Sequence, residues 1–206
     1  MDRRQFAPAT ERNREPIFDA LKGWLPSRGT VLEVASGSGE HAVFFAPKVK
    51  PLKWQPSNFD CEQINSVTDW RAYKPSDNLL PPVKLDVTDK NWPVESETYE
   101  SPPITAIFNA NMIHISPWQT CEGLMAGAGR ILPRGGRLFL YGPFKFNGRH
   151  TAASNEKFES WLKSLYPGYG VRDIEAVLKE ASKNDLRHLL ARPMPANNFL
   201  HLFEKN

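Results

Sequence analysis

Thr30-Val31-Leu32-Glu33-Val34-Ala35, a short run of β-branched and apolar residues, is cut off by Ser36-Gly37-Ser38-Gly39 and followed at once by a helix-like segment from Glu40 to Val49. A run that is apolar almost throughout and bounded by glycines fits a strand buried on both faces. Such strands belong to parallel sheets, whose crossovers place helices on either side. This one segment narrows the fold to the α/β class.

The alternation recurs along the chain. Ile17, Phe18, Leu21, Trp24 and Leu25 fall at helical spacing, with Pro16 read as a first-turn proline. Further strands are expected at Leu52–Gln55, Pro82–Asp86, Ile104–Asn109 and Arg137–Tyr141, and a helix over Trp118–Leu132. After a loop from Gly142 to Ala153, Ser154 can cap a helix with an apolar face of Phe158, Trp161, Leu162 and Leu165. Ile174, Val177, Leu178 and Ala181 mark one more helix, and two strand-like runs, Leu186–Ala191 and Phe199–Phe203, close the chain. Five βα alternations and two closing strands predict a doubly wound, mostly parallel seven-stranded sheet with an antiparallel C-terminal strand. Ligands of such sheets bind at the carboxyl ends of the strands.

The 206 residues favour one domain. Lys plus Arg number 26 and Asp plus Glu 23, a net charge of +3 that is too mild to imply nucleic acid. Cys61 and Cys121 are too few and too far apart for a zinc site or a disulfide framework, which predicts a reducing compartment and no metal. No apolar run is long enough for a membrane span, and Met1 to Phe6 lacks the apolar stretch of a secretory signal. A cytosolic protein is expected.

Glycine lets backbone approach a ligand closely, so Gly37-Ser38-Gly39 is the natural place to look for one. Gly37, Gly39 and Ala42 satisfy the G-x-G-x-x-G/A pattern of dinucleotide sites. Against that stands Glu33, four positions before Gly37, where a carboxylate would repel a pyrophosphate. A ligand with ammonium and sulfonium groups and no phosphate suits the carboxylate, and S-adenosylmethionine (SAM) has that charge arrangement. Alternatively, Glu33 is a structural acid beside a tight turn, buried with a hydrogen-bond partner.

Glu33-Val34-Ala35-Ser36-Gly37-Ser38-Gly39 resembles the first motif of class I SAM-dependent methyltransferases. The likeness extends to the family that includes methyltransferase-like protein 26. It is carried by Ala9 to Ile17, Leu32 to His41, Trp54-Gln55-Pro56-Ser57, Leu85-Asp86-Val87, Asn111 to Pro117, Tyr141-Gly142-Pro143-Phe144 and Met194 to Asn198. The resemblance implies a single Rossmann-like methyltransferase domain over residues 1–206, with a helical cover at about 9–26. It also implies SAM as cofactor, S-adenosylhomocysteine as product, and a small-molecule acceptor.

Residue roles follow from the resemblance. Glu33, Ala35, Gly37 and Gly39 would face the methionine part of the cofactor, and Asn109 the same region from the fourth strand. Ser57 and Asn58 stand where ribose is bound, with Asn58 in place of the acid expected there; Asn58 is equally a helix cap. Asp86 would accept from the adenine amino group, with Val87 beside the ring, or else Asp86 caps a turn with Thr88. Arg12 and Asn13 could fold over the cofactor, the guanidinium pairing with the methionine carboxylate. At the reacting end Asn111 would hold polar atoms and His114 act as base, since imidazole titrates near neutral pH; a satisfied core histidine is the alternative. Tyr141, Phe144 and Asn147 would wall the acceptor pocket, or pack locally under a long loop.

Three functions compete at this stage: a SAM-dependent methyltransferase of small molecules, a non-catalytic SAM-binding module that works through a partner, and a nicotinamide-dependent oxidoreductase. Neither the acceptor nor the oligomeric state is readable from the residues.

Overall fold

The computed structural model describes residues 2–206. In chain order the elements are α1 (Pro8–Leu21), β1 (Thr30–Val34), α2 (Glu40–Phe45), β2 (Lys53–Asn58), α3 (Cys61–Tyr73), β3 (Val83–Lys84), β4 (Ile104–Ala110) and α4 (Trp118–Ile131). They continue with β5 (Arg137–Gly142), β6 (Phe144–Phe146), β7 (Arg149–His150), α5 (Ala153–Leu165), β8 (Arg172–Asp173), α6 (Ile174–Lys183), β9 (Leu186–Met194) and β10 (Asn198–Lys205). Seven strands form one sheet in the order β3-β2-β1-β4-β5-β10-β9. β1 lies between β2 and β4, parallel to both, with Leu32 opposite Gln55 on one side and Ile107 on the other. β10 runs antiparallel to β5 and β9. The expected seven-stranded α/β sheet with its antiparallel C-terminal strand is what the chain forms.

The pleat sorts side chains between two layers. Leu32, Val34, Ile107, Leu138 and Leu140 pack with Cys121, Leu124 and Met125 of α4 and Val177 of α6. Val31, Phe108, Phe139 and Tyr141 point the other way, toward Ile17 and Ala20 of α1, Phe45 of α2 and Trp70 of α3. Among the described residues no helix is long and apolar enough to cross a membrane.

Several elements differ from expectation, each for a local reason. α1 begins at Pro8, so Pro16 lies inside it, unable to donate to the carbonyl four residues back. Its polar first half shows no apolar stripe because hydrogen bonds anchor the preceding arm: Gln5 N–H donates to Ser66 Oγ (2.8 Å) and Trp70 Nε1 donates to the Gln5 carbonyl (2.9 Å). β2 runs on through Pro56 to Asn58, and β9 through Pro193 to Met194, beyond the apolar runs that located them. β3 is shorter than expected, leaving Asp86 beyond its end. The loop after β5 holds a small sheet in the order β7-β6-β8. Ala152, not Ser154, is the N-cap of α5, and no side chain caps it.

Candidate active site

Non-glycine residues rarely adopt positive φ, and such strain gathers at functional sites. Ala35 (φ 57°), Asn111 (φ 64°), Ala196 (φ 58°) and Asn197 (φ 58°) do so here. The first two follow the carboxyl ends of β1 and β4, and the other two lie in the turn between β9 and β10.

The glycine loop is built by the ends of neighbouring strands. Asn58 Oδ1 accepts from Gly37 N–H (2.9 Å), and its amide Nδ2 donates to the Gly37 carbonyl. Ser57 Oγ donates to the Glu33 carbonyl (2.8 Å), and Asn109 Nδ2 donates to the Val34 carbonyl (2.9 Å). These three buried residues hold the loop from beneath; Asn58 is spent on Gly37, and Asp60 rather than Asn58 caps α3. A Cβ on Gly37 would point into open space, whereas one on Gly39 would lie 2.9 Å from Val67 Cα. Gly37 therefore faces outward and Gly39 is the contact of the loop with α3.

Glu33 corrects the sequence reading. It shares a face of β1 with Val31, so its side chain enters the α1–α2 layer, 2% exposed, where Oε2 accepts from Trp54 Nε1 (2.8 Å). Burial pushes its carboxyl up to about 7 against the pull of Trp54. His41 Nδ1 lies 4.0 Å from Glu33 Oε1, and His41 Nε2 donates to Asn13 Oδ1 (2.8 Å). Burial lowers that imidazole to about 4, leaving it neutral. The carboxylate that faces the loop is Glu40, which sequence reasoning passed over. Its Oε2 accepts from Ala7 N–H (2.6 Å) and Ser38 Oγ (2.9 Å), so it ties the N-terminal arm to the glycine loop. Its position as the first residue after the glycine loop was the available signal.

Past β2, Phe59 is 64% exposed, a bare aromatic surface beside the loop that periodicity had no reason to flag. Asp86 Oδ1 accepts from Thr88 N–H (2.8 Å) and Thr88 Oγ1 (2.7 Å), which is the turn role, and Oδ2 is left over. Val87 is buried next to it. Arg12 is exposed on α1.

At the carboxyl ends of β4 and β5 a cleft of about 380 Å³ is lined by Asn13, Asn111, Ile115, Tyr141, Pro143, Asn155, Phe158, Trp161 and Asn198, with Ala9 and Ala196. None of these described residues carries a charged group. The Tyr141 phenol is pushed up by burial, against a smaller pull from Asn13, and stays protonated at neutral pH. The structure thus brings Asn13, Asn111 and Tyr141 together, from α1, β4 and β5.

His114, Phe144 and Asn147 are elsewhere. His114 is fully buried, and its Nδ1 accepts from Arg172 N–H (3.3 Å), which leaves the proton on Nε2. Burial, aided by the Arg172 guanidinium, lowers it to about 3. An imidazole so placed packs behind Gly142 and has no lone pair to offer the cleft. Phe144, also buried, sits between the rings of His114 (5.0 Å) and His201 (4.4 Å). Asn147 is exposed in the β6–β7 turn, its N–H donating to Glu175. A Cβ on Gly142 would lie 2.5 Å from His114 Nε2 and 3.0 Å from Asn111 Oδ1. Gly142→Ala should therefore cost about 1–3 kcal/mol by overpacking. Urea unfolding that matches the parent would remove His114 from that tight contact.

Residues 4–205 match the model of a family described as "Protein of unknown function (DUF938)". Among solved structures, the O-methyltransferase family 2 protein from Planctomyces limnophilus in complex with apigenin is 20% identical with a TM-score of 0.75, the match covering 96% of this chain and 60% of that one. Human N-acetylserotonin methyltransferase in complex with SAM is 13% identical with a TM-score of 0.74, over 96% of this chain and 53% of that one. An O-methyltransferase family protein from Burkholderia thailandensis is 14% identical with a TM-score of 0.74, over 96% and 57%. The chain spans 60% or less of the length of these proteins. The likeness is one of fold: the sheet is shared with these three proteins.

Proposed function

This chain belongs to the DUF938 family, and we propose that it is a SAM-dependent methyltransferase of the EC 2.1.1 class acting on a small-molecule acceptor. The observations that carry the proposal are the outward-facing, unobstructed Gly37 just past the carboxyl end of β1 and a cleft without charge at the carboxyl ends of β4 and β5. Three proteins of the same fold are named as methyltransferases, one of them in complex with SAM. The resemblance to the methyltransferase-like protein 26 family adds to this on the level of sequence. Glu40 supports it further, because a buried carboxylate at the loop disfavours the diphosphate of a nicotinamide cofactor.

Bound SAM would supply an electrophilic methyl group on a sulfonium. The backbone of Ala35 and Gly37 would hold its amino-acid part, with Arg12 near the carboxylate and Asn109 holding the loop in shape. Phe59 would cover the adenine, and Asp86 Oδ2 and Val87 would meet its edge. Asn58, committed to Gly37, leaves the ribose without the usual acid, so ribose recognition should be weak. Asn111 and Tyr141 would orient the acceptor. Rate enhancement from these residues comes from alignment and from keeping water out.

Titration calorimetry tests the proposal. S-adenosylhomocysteine should give saturable heat, and NADH none. Binding of NADH alone would transfer the chain to the oxidoreductases. Binding of S-adenosylhomocysteine with no methyl uptake by any fraction of a cell extract would leave a SAM-binding module.

A further inference from the structure

We propose that the acceptor is an uncharged, flat nitrogen heteroaromatic that carries a ring N–H and a carbonyl; this rests on the reading that the cleft adjoins a bound methyl donor. The cleft has no charged group among its described lining residues, so an ionised ligand would lose water there and gain no counter-charge. Its polar groups are amides from separate elements, and their existing bonds decide what each has left to offer. Asn155 Nδ2 already donates to Thr151 Oγ1 and the Asn197 carbonyl, and Asn198 Nδ2 to the carbonyls of Pro195 and Ala196. Both residues keep an uncommitted Oδ1, an acceptor. Asn13 is the reverse: its Oδ1 takes the His41 N–H, and its Nδ2, which also faces the Tyr141 phenol, has two hydrogens and so can still donate. A ligand N–H directed at α5 and β10, with a carbonyl or ring nitrogen directed at α1, matches that polarity.

The apolar wall fixes the shape. Phe158 and Trp161 stack with ring centroids 5.8 Å apart and planes 23° apart, and Trp161 is 54% exposed. Two nearly parallel rings at a cleft wall favour a planar partner through stacking.

The reacting atom follows from what the cleft lacks. His114 lies behind Gly142 and Tyr141 keeps its proton, so no side chain there can accept one. A second ring nitrogen, of the pyridine type and without hydrogen, brings its own lone pair. That pair forms the new N–C bond while the C–S pair leaves with sulfur, and the positive charge passes from sulfonium to ring without any proton transfer.

Calorimetry on the full chain, with and without S-adenosylhomocysteine, tests this using three planar probes: neutral quinazolin-4-one, cationic benzamidine and anionic quinoline-2-carboxylate. Quinazolin-4-one should bind at least tenfold more tightly than either charged probe, and Trp161→Ala should weaken it tenfold or more. Asn198→Asp places a charge at one acceptor position and should raise benzamidine affinity at least tenfold. Equal binding of a charged probe, no heat from quinazolin-4-one at millimolar concentration, or indifference to both substitutions would overturn the inference. Absence of heat from S-adenosylhomocysteine is a separate result: it removes the methyltransferase reading, and the acceptor role with it, while the probe ranking still reports the chemistry of the cleft.

Discussion

Gly37→Val is expected to abolish detectable S-adenosylhomocysteine binding, a loss of at least ~100-fold or about 3 kcal/mol, while the protein remains folded. Gly37 holds φ +56° and nothing lies within 4 Å of where its Cβ would be. The fold thus has space for the new side chain, and the ligand does not. A β-branched residue in the left-handed region costs about 2 kcal/mol, which a domain of ordinary stability survives. Gly39→Ala is the instructive contrast. There the new Cβ would meet Val67 Cα at 2.9 Å, backbone that cannot swing aside, so stability should fall while any surviving folded protein keeps its affinity. The two glycines look equivalent in the motif, yet one is open to ligand and the other is the seam between α2 and α3. Parallel binding and denaturation curves separate them; loss of affinity in proportion to loss of stability in both variants would erase the distinction.

That contrast shows where the sequence stops being legible. β1, β4 and β5 could be read because each buries most of its side chains, as β1 does over Thr30–Val34, and so appears as a mostly apolar run. The first half of α1 could not, because what holds its leading arm is a few polar contacts to Ser66, Trp70 and Glu40, and those have no period. Spacing left Glu33 open between a ligand group and a structural acid, because it says how near the residue lies to Gly37 but not which face it takes. The pleat puts it with Val31 and Trp54, under α1. Glu40, adjacent to the loop, was taken for the start of a helix and nothing more. The cleft is harder still: Asn13, Asn111, Asn155 and Asn198 come from elements scattered over nearly the whole chain, and only the closing of β10 against β5 assembles them. His114 illustrates the opposite error. Its position after β4 was right for a base, but Arg172, far along the chain, takes its lone pair.

Acid should weaken this protein from about pH 6.5 downward, starting above the range where ordinary carboxylates titrate, and buried histidines are the cause. His41 is lowered to about 4, and His114 and His201 to about 3, in each case chiefly by burial. In the unfolded chain all three return to about 6.5. Above pH 6.5 neither state is protonated at these sites and they contribute nothing to pH dependence. As pH falls below 6.5 the unfolded chain takes up protons that the folded chain refuses, and stability drains away until the folded values near 4 and 3 are reached. Glu33 acts in the opposite sense: raised to about 7, it keeps a proton when folded that the unfolded chain has released, so its burial costs less as pH falls from 7 toward 4.5. Three groups outweigh one. Between pH 6 and 5 the unfolded state holds a net excess approaching two protons, a slope of about 2–3 kcal/mol per pH unit. Summed from pH 6.5 to pH 4 this removes about 6 kcal/mol, enough to unfold a domain at the low end of the usual ~5–15 kcal/mol. His201 contacts Phe144 at 4.4 Å and Phe146 at 6.4 Å between ring centroids, so His201→Phe keeps an aromatic ring there and removes one titrating group. Stability from urea unfolding at pH 7, 6 and 5 should then fall less steeply, by about 1 kcal/mol per pH unit. A parent profile that is flat from pH 6.5 to 5 would mean that these imidazoles are protonated in the folded state, and that the interior around Phe144 admits water.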